Sequence, residues 1–342
     1  MVKAIIKKDS SPGLEIQEID KPSPGPLDVI VKIKKSSICG TDIHIYDWDD
    51  WSSKTIKPPM QIGHEWTGIV DSVGSEVKKY KEGDRVSGEG HVVCGECRNC
   101  KGGKRHLCID QHGIGVHLPG AFAEYLKIPS TNLFSIPDSI PDNIATIFDP
   151  LGNAVHATLS YDLVGEDVLI TGAGPIGMMS ALIAQHIGAR HVVVTDVNDY
   201  RLNLCKELGI QHTYHASTNL RELMPSLNMH EGFDVALEMS GSPSALNDII
   251  SNVKNGAKIA LLGILPEDTK ISWNDVIFKD LFIKGIYGRE IFETWYKMVS
   301  MLESGLRVDQ IITHEFHYSE FEEAIQIMKS GQSGKIILNW ES

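Results

Sequence analysis

From about Gly152 onward, short apolar runs alternate with segments of helical spacing. Val168-Leu169-Ile170-Thr171 is an unbroken run of the kind a strand buried on both faces requires. After it, Pro175 to Ile187 places Ile176, Met179, Ile183 and Ile187 on one helical face, with proline near the first turn and Gly188 positioned to end it. His191 to Asp196 predicts the next strand and Tyr200 to Leu208 the next helix; Phe233 to Met239, Lys258 to Gly263 and Leu281 to Ile286 continue the series. Such alternation predicts a doubly wound parallel sheet, hence an α/β protein. The upstream portion has another rhythm. Val29–Ile33, Gly68–Val73 and Asp84–Val86 are short β-branched runs between glycine and proline turns, as in a β-rich, barrel-like domain whose loops can carry ligands. Lys335-Ile336-Ile337-Leu338 predicts a strand that completes this first domain. The expected division is therefore 1–150 with 292–342, and 151–291 between them.

The chain has 342 residues, enough for two domains, and its 42% hydrophobic and 23% charged content is that of a soluble globular protein. A net charge of −13 argues against nucleic acid or an anionic membrane as a general partner, since both require a basic surface. No apolar stretch approaches the ~20 residues needed to span a bilayer, and Met1 to Asp9 lacks the apolar run of a secretory leader. There is no internal repeat or low-complexity tract.

The cysteines change the picture most. Cys94, Cys97, Cys100 and Cys108 follow C-x2-C-x2-C-x7-C spacing, which suits a closed tetrahedral zinc site of structural type. Disulfides belong to oxidising compartments. An iron–sulfur cluster would also take four thiolates, but the last gap is long for the usual ferredoxin run. Thiolates held for metal imply a reducing, cytoplasmic setting, and Cys205 is left as a packed residue.

Gly172-Ala173-Gly174-Pro175-Ile176-Gly177 lies between a predicted strand and a predicted helix, the context that gives this fingerprint its meaning. Gly172 would make the tight turn, Gly174 would admit a pyrophosphate and Gly177 would let the helix pack on the strand. Asp196 ends the next strand, where a carboxylate accepts from ribose hydroxyls and repels a 2′-phosphate. NAD is expected rather than NADP. Arg201 nearby is expected beside the adenine or ribose.

A second metal site is expected upstream. A catalytic zinc needs three protein ligands and a replaceable fourth position. Cys39 and His64 are the first two candidates, and Glu65 and Asp149 compete for the third. Adjacent His64 and Glu65 can reach one ion only if the backbone bends, which Gly63 permits. Zinc there would lower the pKa of a substrate hydroxyl before hydride leaves for the nicotinamide. Thr41 and His44, a helical turn apart, are candidates for carrying the proton away.

Taken together, these segments resemble the zinc-containing medium-chain dehydrogenase/reductase family over essentially the whole chain. The similarity is closest in Ile38–Tyr46, Ser87–His91, Phe148–His156, Glu238–Gly241, Lys284–Glu290 and Phe292–Met298, which look like members that oxidise L-threonine. The resemblance implies a GroES-like catalytic domain joined to a Rossmann cofactor domain. It implies oxidation of L-threonine by NAD+ to L-2-amino-3-oxobutanoate, toward glycine, by a cytoplasmic homotetramer with two zinc ions per subunit. Cys39, His64 and Glu65 would then ligate the catalytic zinc, Thr41 and His44 would relay the proton, and Asp149 would affect catalysis. Cofactor contacts would fall at Ile176, Asp196, Arg201, Gly263, Ile264, Leu265, Tyr287 and Gly288. The competing readings are a polyol or 2,3-butanediol dehydrogenase on the same fold, and a zinc-stabilised binding protein without turnover, against which intact Cys39, Thr41, His44 and His64 argue.

Overall fold

The structure, a computed structural model, describes residues 1–341. The chain divides into two compact units: residues 1–149, 312–330 and 335–342, and residues 150–311 and 331–334.

The first unit is built on a seven-stranded sheet. Its strands run in the order Leu133–Ser135, Arg85–Gly88, Glu65–Val73, Asp28–Ser37, Lys335–Asn339 and Ile312–His317, and Tyr125–Pro129 also pairs with Asp28–Ser37. Pairing is antiparallel except between the last two. The long strand Asp28–Ser37 shifts register against Glu65–Val73 at two places, Ile30/Val31 and Ile33/Lys35. Such bulges bend a strand and increase its twist, which curls the sheet over an apolar interior. That interior holds Val29, Val31, Ile33, Trp66, Val86, Phe122 and Leu126, all buried. Cross-strand register sets up the chemistry: Ser37 pairs with Glu65 on one side and with Ile337 on the other. The ends of three strands therefore meet beside Cys39.

The second unit carries a six-stranded parallel sheet in the order His212–His215, His191–Asp196, Asp167–Thr171, Phe233–Glu238, Val253–Leu261 and Phe282–Gly285. Strand order reverses between Asp167–Thr171 and Phe233–Glu238, the switch point at which open α/β sheets bind ligands. Asp167–Thr171 is buried throughout, as its apolar run predicted. The helix Pro175–His186 is buried on more than one face, through Met178, Met179, Ala181, Ile183 and Ala184. The strand His212–His215 has no apolar run and was not predicted. Val253–Leu261 begins before the predicted Lys258, because its first residues pair with Phe233 across a register shift.

The chain enters the first unit again at Ile312, later than the expected Phe292. The helix Glu293–Glu303 buries Trp295, Met298 and Met301, and the turn Asp309–Ile311 packs against the helix Pro175–His186 of the second unit. Gly331–Gly334 also belongs to the second unit, where Asn198 Nδ2 donates to Gly331 O at 3.1 Å. Among the described residues no helix is long and apolar enough to cross a membrane.

Candidate functional site

Donor atoms of Cys39, His64 and Glu65 all lie within 4.8 Å of one another. Each is delivered by a different local device. Cys39 is the N-cap of the helix Gly40–Asp47 in extended conformation, and Asp42 Oδ2 accepts from its backbone N–H at 2.9 Å. His64 follows Gly63, whose φ of +88° is open to glycine and strained for other residues. A Cβ there would also run into the Phe122 ring. Glu65 opens a strand and is 1% exposed. It accepts from Ser37 Oγ and pairs with Lys335 Nζ, itself 3% exposed, which also donates to Ile38 O at 2.7 Å.

The site is rich in negative charge around one imidazole. Burial works against a charged His64, but Cys39, Asp42 and Asp149 outweigh it and hold the ring well above its ordinary pKa. Burial pushes Asp42 up to about 6, with His64 and the Cys39 N–H opposing. His64 Nδ1 and Asp42 Oδ1 are buried with no hydrogen-bond partner. Soft thiolate, imidazole and carboxylate donors at this separation fit a zinc ion, and a cation there answers the charge that His64 otherwise faces. Asp149 is buried and acts on His64, but it is not among the clustered donors. Of the two carboxylates, geometry brings Glu65 to the cluster.

Thr41 Oγ1 lies 3.7 Å from Cys39 Sγ. His44 stands at the exposed side of the same helix, with Nδ1 2.6 Å from Asp49 Oδ2. Asp49 caps the following helix by accepting from Ser52 N at 2.9 Å, so its carboxylate is fixed.

The four remaining metal-spaced cysteines form a separate cluster, their sulfurs within 4.8 Å of one another, and all are free of disulfides. A tetrahedral site with Zn–S near 2.3 Å would set sulfurs about 3.8 Å apart. Backbone N–H groups of Cys97, Cys100 and Asp110 point at the sulfurs of Cys94, Cys97 and Cys108, at 3.4, 3.5 and 3.4 Å. The N–H groups of Cys100 and Ile109 lower Cys97 to about 6, while burial raises Cys100 to about 12. A shared divalent cation lets all four ionise together.

In the second unit, the glycine loop has the shape a dinucleotide requires. Gly172 has φ +94°. A Cβ on Gly174 would meet nothing within 4 Å, leaving room for a pyrophosphate over the helix N-terminus, whereas one on Gly177 would collide with Gly172 O. Asp196 is buried, and its oxygens accept from Ala173 N at 2.5 Å and Asn198 N at 2.8 Å. Arg201 Nε is buried without a partner. Ile176 is half-buried, and Leu265 packs on the core of this unit. Ile264 is 95% exposed and Tyr287 is also exposed. Gly288 O accepts from His156 Nδ1 at 2.9 Å, and burial, opposed by that bond, lowers the His156 pKa. Gly263 is packed against Gly241 and Glu238. These apolar and backbone surfaces fit a nicotinamide dinucleotide.

Sequence reasoning assigned no role to Lys335, Ser37, Asp49, Glu238 or His156. The only signal for Lys335 was a lysine opening an otherwise apolar strand, Lys335–Leu338.

Residues 25–138 match the model of the alcohol dehydrogenase GroES-like domain, and residues 175–304 that of the zinc-binding dehydrogenases. The chain is 57% identical to the L-threonine 3-dehydrogenase of Vibrio parahaemolyticus over 341 residues, 99% of each. It is 58% identical to that of Chromobacterium violaceum over 340 residues, 99% of this chain and 100% of the relative. Among solved structures, one described as a short chain alcohol dehydrogenase of Escherichia coli CFT073 complexed with NADH aligns with a TM-score of 0.90 at 29% identity, covering 99% of each chain. The 2R,3R-butanediol dehydrogenase of Bacillus subtilis aligns with a TM-score of 0.89 at 25% identity, covering 100% of each. By these matches and by its two clusters of metal-binding side chains, the chain belongs to the zinc-containing medium-chain dehydrogenase/reductase family.

Proposed function

We propose that this chain oxidises L-threonine with NAD+ to L-2-amino-3-oxobutanoate, NADH and a proton, in threonine breakdown toward glycine. The Cys39–His64–Glu65 cluster carries the assignment to alcohol oxidation. Whole-chain identity to threonine dehydrogenases, more than twice that to the butanediol enzyme, selects the substrate.

Zinc held by Cys39, His64 and Glu65 would supply a Lewis acid that lowers the pKa of the substrate hydroxyl. NAD+ would supply the hydride acceptor. The chain's own residues do the rest. Lys335 and Ser37 hold one side of Glu65, so its reach toward the donor cluster is fixed by the strand ends. Thr41 accepts the proton at Oγ1 while giving up its own hydroxyl proton, which His44 passes to solvent. With Nδ1 committed to Asp49, the Nε2 of His44 is the atom that receives it. Asp149 adds negative charge beside His64. Gly174 and the helix N-terminus at Ile176 and Gly177 bind the pyrophosphate, Asp196 and Arg201 flank the adenosine ribose, and Gly263, Ile264, Leu265, Tyr287 and Gly288 line the other half.

The buried Asp196 carboxylate favours NAD over NADP. A homotetramer in the cytoplasm is part of the same reading. The outer strand Phe282–Gly285 supports self-association: it leaves one edge unpaired, and Trp273, Ile277, Phe278 and Phe282 are exposed beside it.

Steady-state NADH formation from L-threonine, sorbitol and 2,3-butanediol, with and without a chelator, tests the assignment. Threonine should give the highest kcat/KM and chelation should abolish it; a higher value for 2,3-butanediol would transfer the assignment to that alcohol.

A further inference from the structure

Glu238 ends the strand Phe233–Glu238 and is paired in register with Thr171, the last residue of the strand before the glycine loop. It therefore stands at the point where strand order reverses. It is 0% exposed. A carboxylate buried at a strand end needs compensating donors, and here they come from its own loop. Oε1 accepts from Ser240 N at 2.8 Å, from Ser240 Oγ and from Gly241 N at 3.0 Å. The backbone oxygen of the same residue accepts from Leu262 N at 3.0 Å and Gly263 N at 3.1 Å, in the loop after the next strand. One residue thus ties two consecutive loops at the carboxyl edge of the sheet.

The packing around it has no slack. A Cβ on Gly263 would strike both Gly241 N and Glu238 Oε2, and one on Gly241 would lie 2.6 Å from Ile264 O. On the other side, a Cβ on Gly172 would lie 2.9 Å from Ser240 N, and Met239 N donates to Thr171 O at 2.8 Å. The loop 239–241 is wedged between the glycine loop and the loop 262–265, and the carboxylate fixes its shape from inside. In a doubly wound sheet each half serves one mononucleotide. Asp196 marks the adenosine half, so the loops after Glu238 and Leu261 serve the nicotinamide half.

We propose that Glu238 is the positioning residue of the nicotinamide half of the dinucleotide site, locking the loop 239–241 and the loop 262–265 into one surface. Glu238 is fully buried, with its oxygens bonded to Ser240 and Gly241, so it acts through Gly241, Gly263 and Ile264 rather than by contact with the cofactor. This rests on the NAD reading above.

The test measures binding rather than turnover, on the full chain. NADH affinity is read by fluorescence titration and 5′-AMP affinity by calorimetry, for wild type, Glu238→Gln and Ser240→Ala. Cutting a charge-assisted set of hydrogen bonds should weaken NADH about tenfold or more in Glu238→Gln. 5′-AMP, which occupies only the adenosine half, should bind as in wild type. Ser240→Ala should move NADH in the same direction by a smaller factor, and it carries the test if Glu238→Gln fails to fold. Wild-type NADH affinity in both variants would overturn the proposal. So would a parallel loss of NADH and 5′-AMP, which would make Glu238 a support of the whole sheet. Failure of the wild-type chain to bind NADH would instead strike the NAD reading itself.

Discussion

Cys94, Cys97, Cys100 and Cys108 sit on one short, largely exposed loop, whereas Cys39, His64 and Glu65 come from separate segments and rest on Lys335 near the chain's other end. The loop holds almost no apolar core, with Cys100 its one buried thiol, so a metal ion is what would give it a centre. The other cluster stands at the meeting of three strand ends and is held by a buried ion pair and a helix cap. A donor set that the fold must assemble can leave a coordination position for substrate; one that closes on itself cannot. The two clusters teach that the same residue type serves stability where ligation is local and chemistry where it is not.

The largest effect should separate the clusters outright. Cys39→Ser should lower threonine turnover about a thousandfold, since Lewis-acid stabilisation is worth several kcal/mol, while leaving the melting temperature close to wild type. Cys100→Ser should do the reverse, lowering thermal stability and exposing the segment 94–108 to proteolysis, with the activity of the folded fraction retained. Metal analysis should find one zinc lost in each case. Equal loss of stability in both variants would erase the distinction.

Next comes the buried pair beneath the open cluster. Lys335→Met strands the Glu65 carboxylate and should destabilise the protein by roughly 3–5 kcal/mol, read from the denaturant midpoint, and Lys335→Arg should recover part of it. No shift in either would mean that Glu65 is held by Ser37 alone.

Smaller effects are expected on the relay side of the same cluster. His44→Asn should lower kcat about a hundredfold near neutral pH, the low end for a lost acid–base group, and leave zinc content unchanged. Asp49→Asn should cost only a few-fold by releasing the His44 tautomer. Burial raises the Asp49 pKa, but the Ser52 N–H and His44 outweigh it and hold the carboxyl below its ordinary value. The pair is therefore intact above the usual aspartate range and is lost only as pH falls through that depressed value. A kcat profile in Asp49→Asn identical to wild type would remove the orienting role.

What was legible in the sequence follows the same division. The spacing of Cys94 to Cys108 and the strand–glycine–helix run at Val168 to Ile187 are local, so periodicity and residue order carry them. Gly63 was also readable, as the bend that lets neighbouring His64 and Glu65 turn toward one point. Lys335 was not, because its pairing with Glu65 depends on strand order, which brings residues far apart in the chain into adjacent register. Glu238 was hidden for another reason: a carboxylate compensated by backbone N–H groups leaves no partner charge in the sequence. The first unit resumes at Ile312 rather than Phe292, and the amphipathic face of Glu293–Glu303, with Trp295 and Met298 buried, fits either unit when read from sequence alone.

The claim on which the rest depends is that the Cys39 cluster binds metal with one position open to substrate. Replacing its zinc with Co2+ tests this directly, because thiolate-to-cobalt charge-transfer and ligand-field bands report on that ion. Addition of L-threonine in the presence of NADH should shift these bands saturably in wild type, and Cys39→Ser should lack them. Bands that ignore L-threonine at saturating concentration would contradict the account.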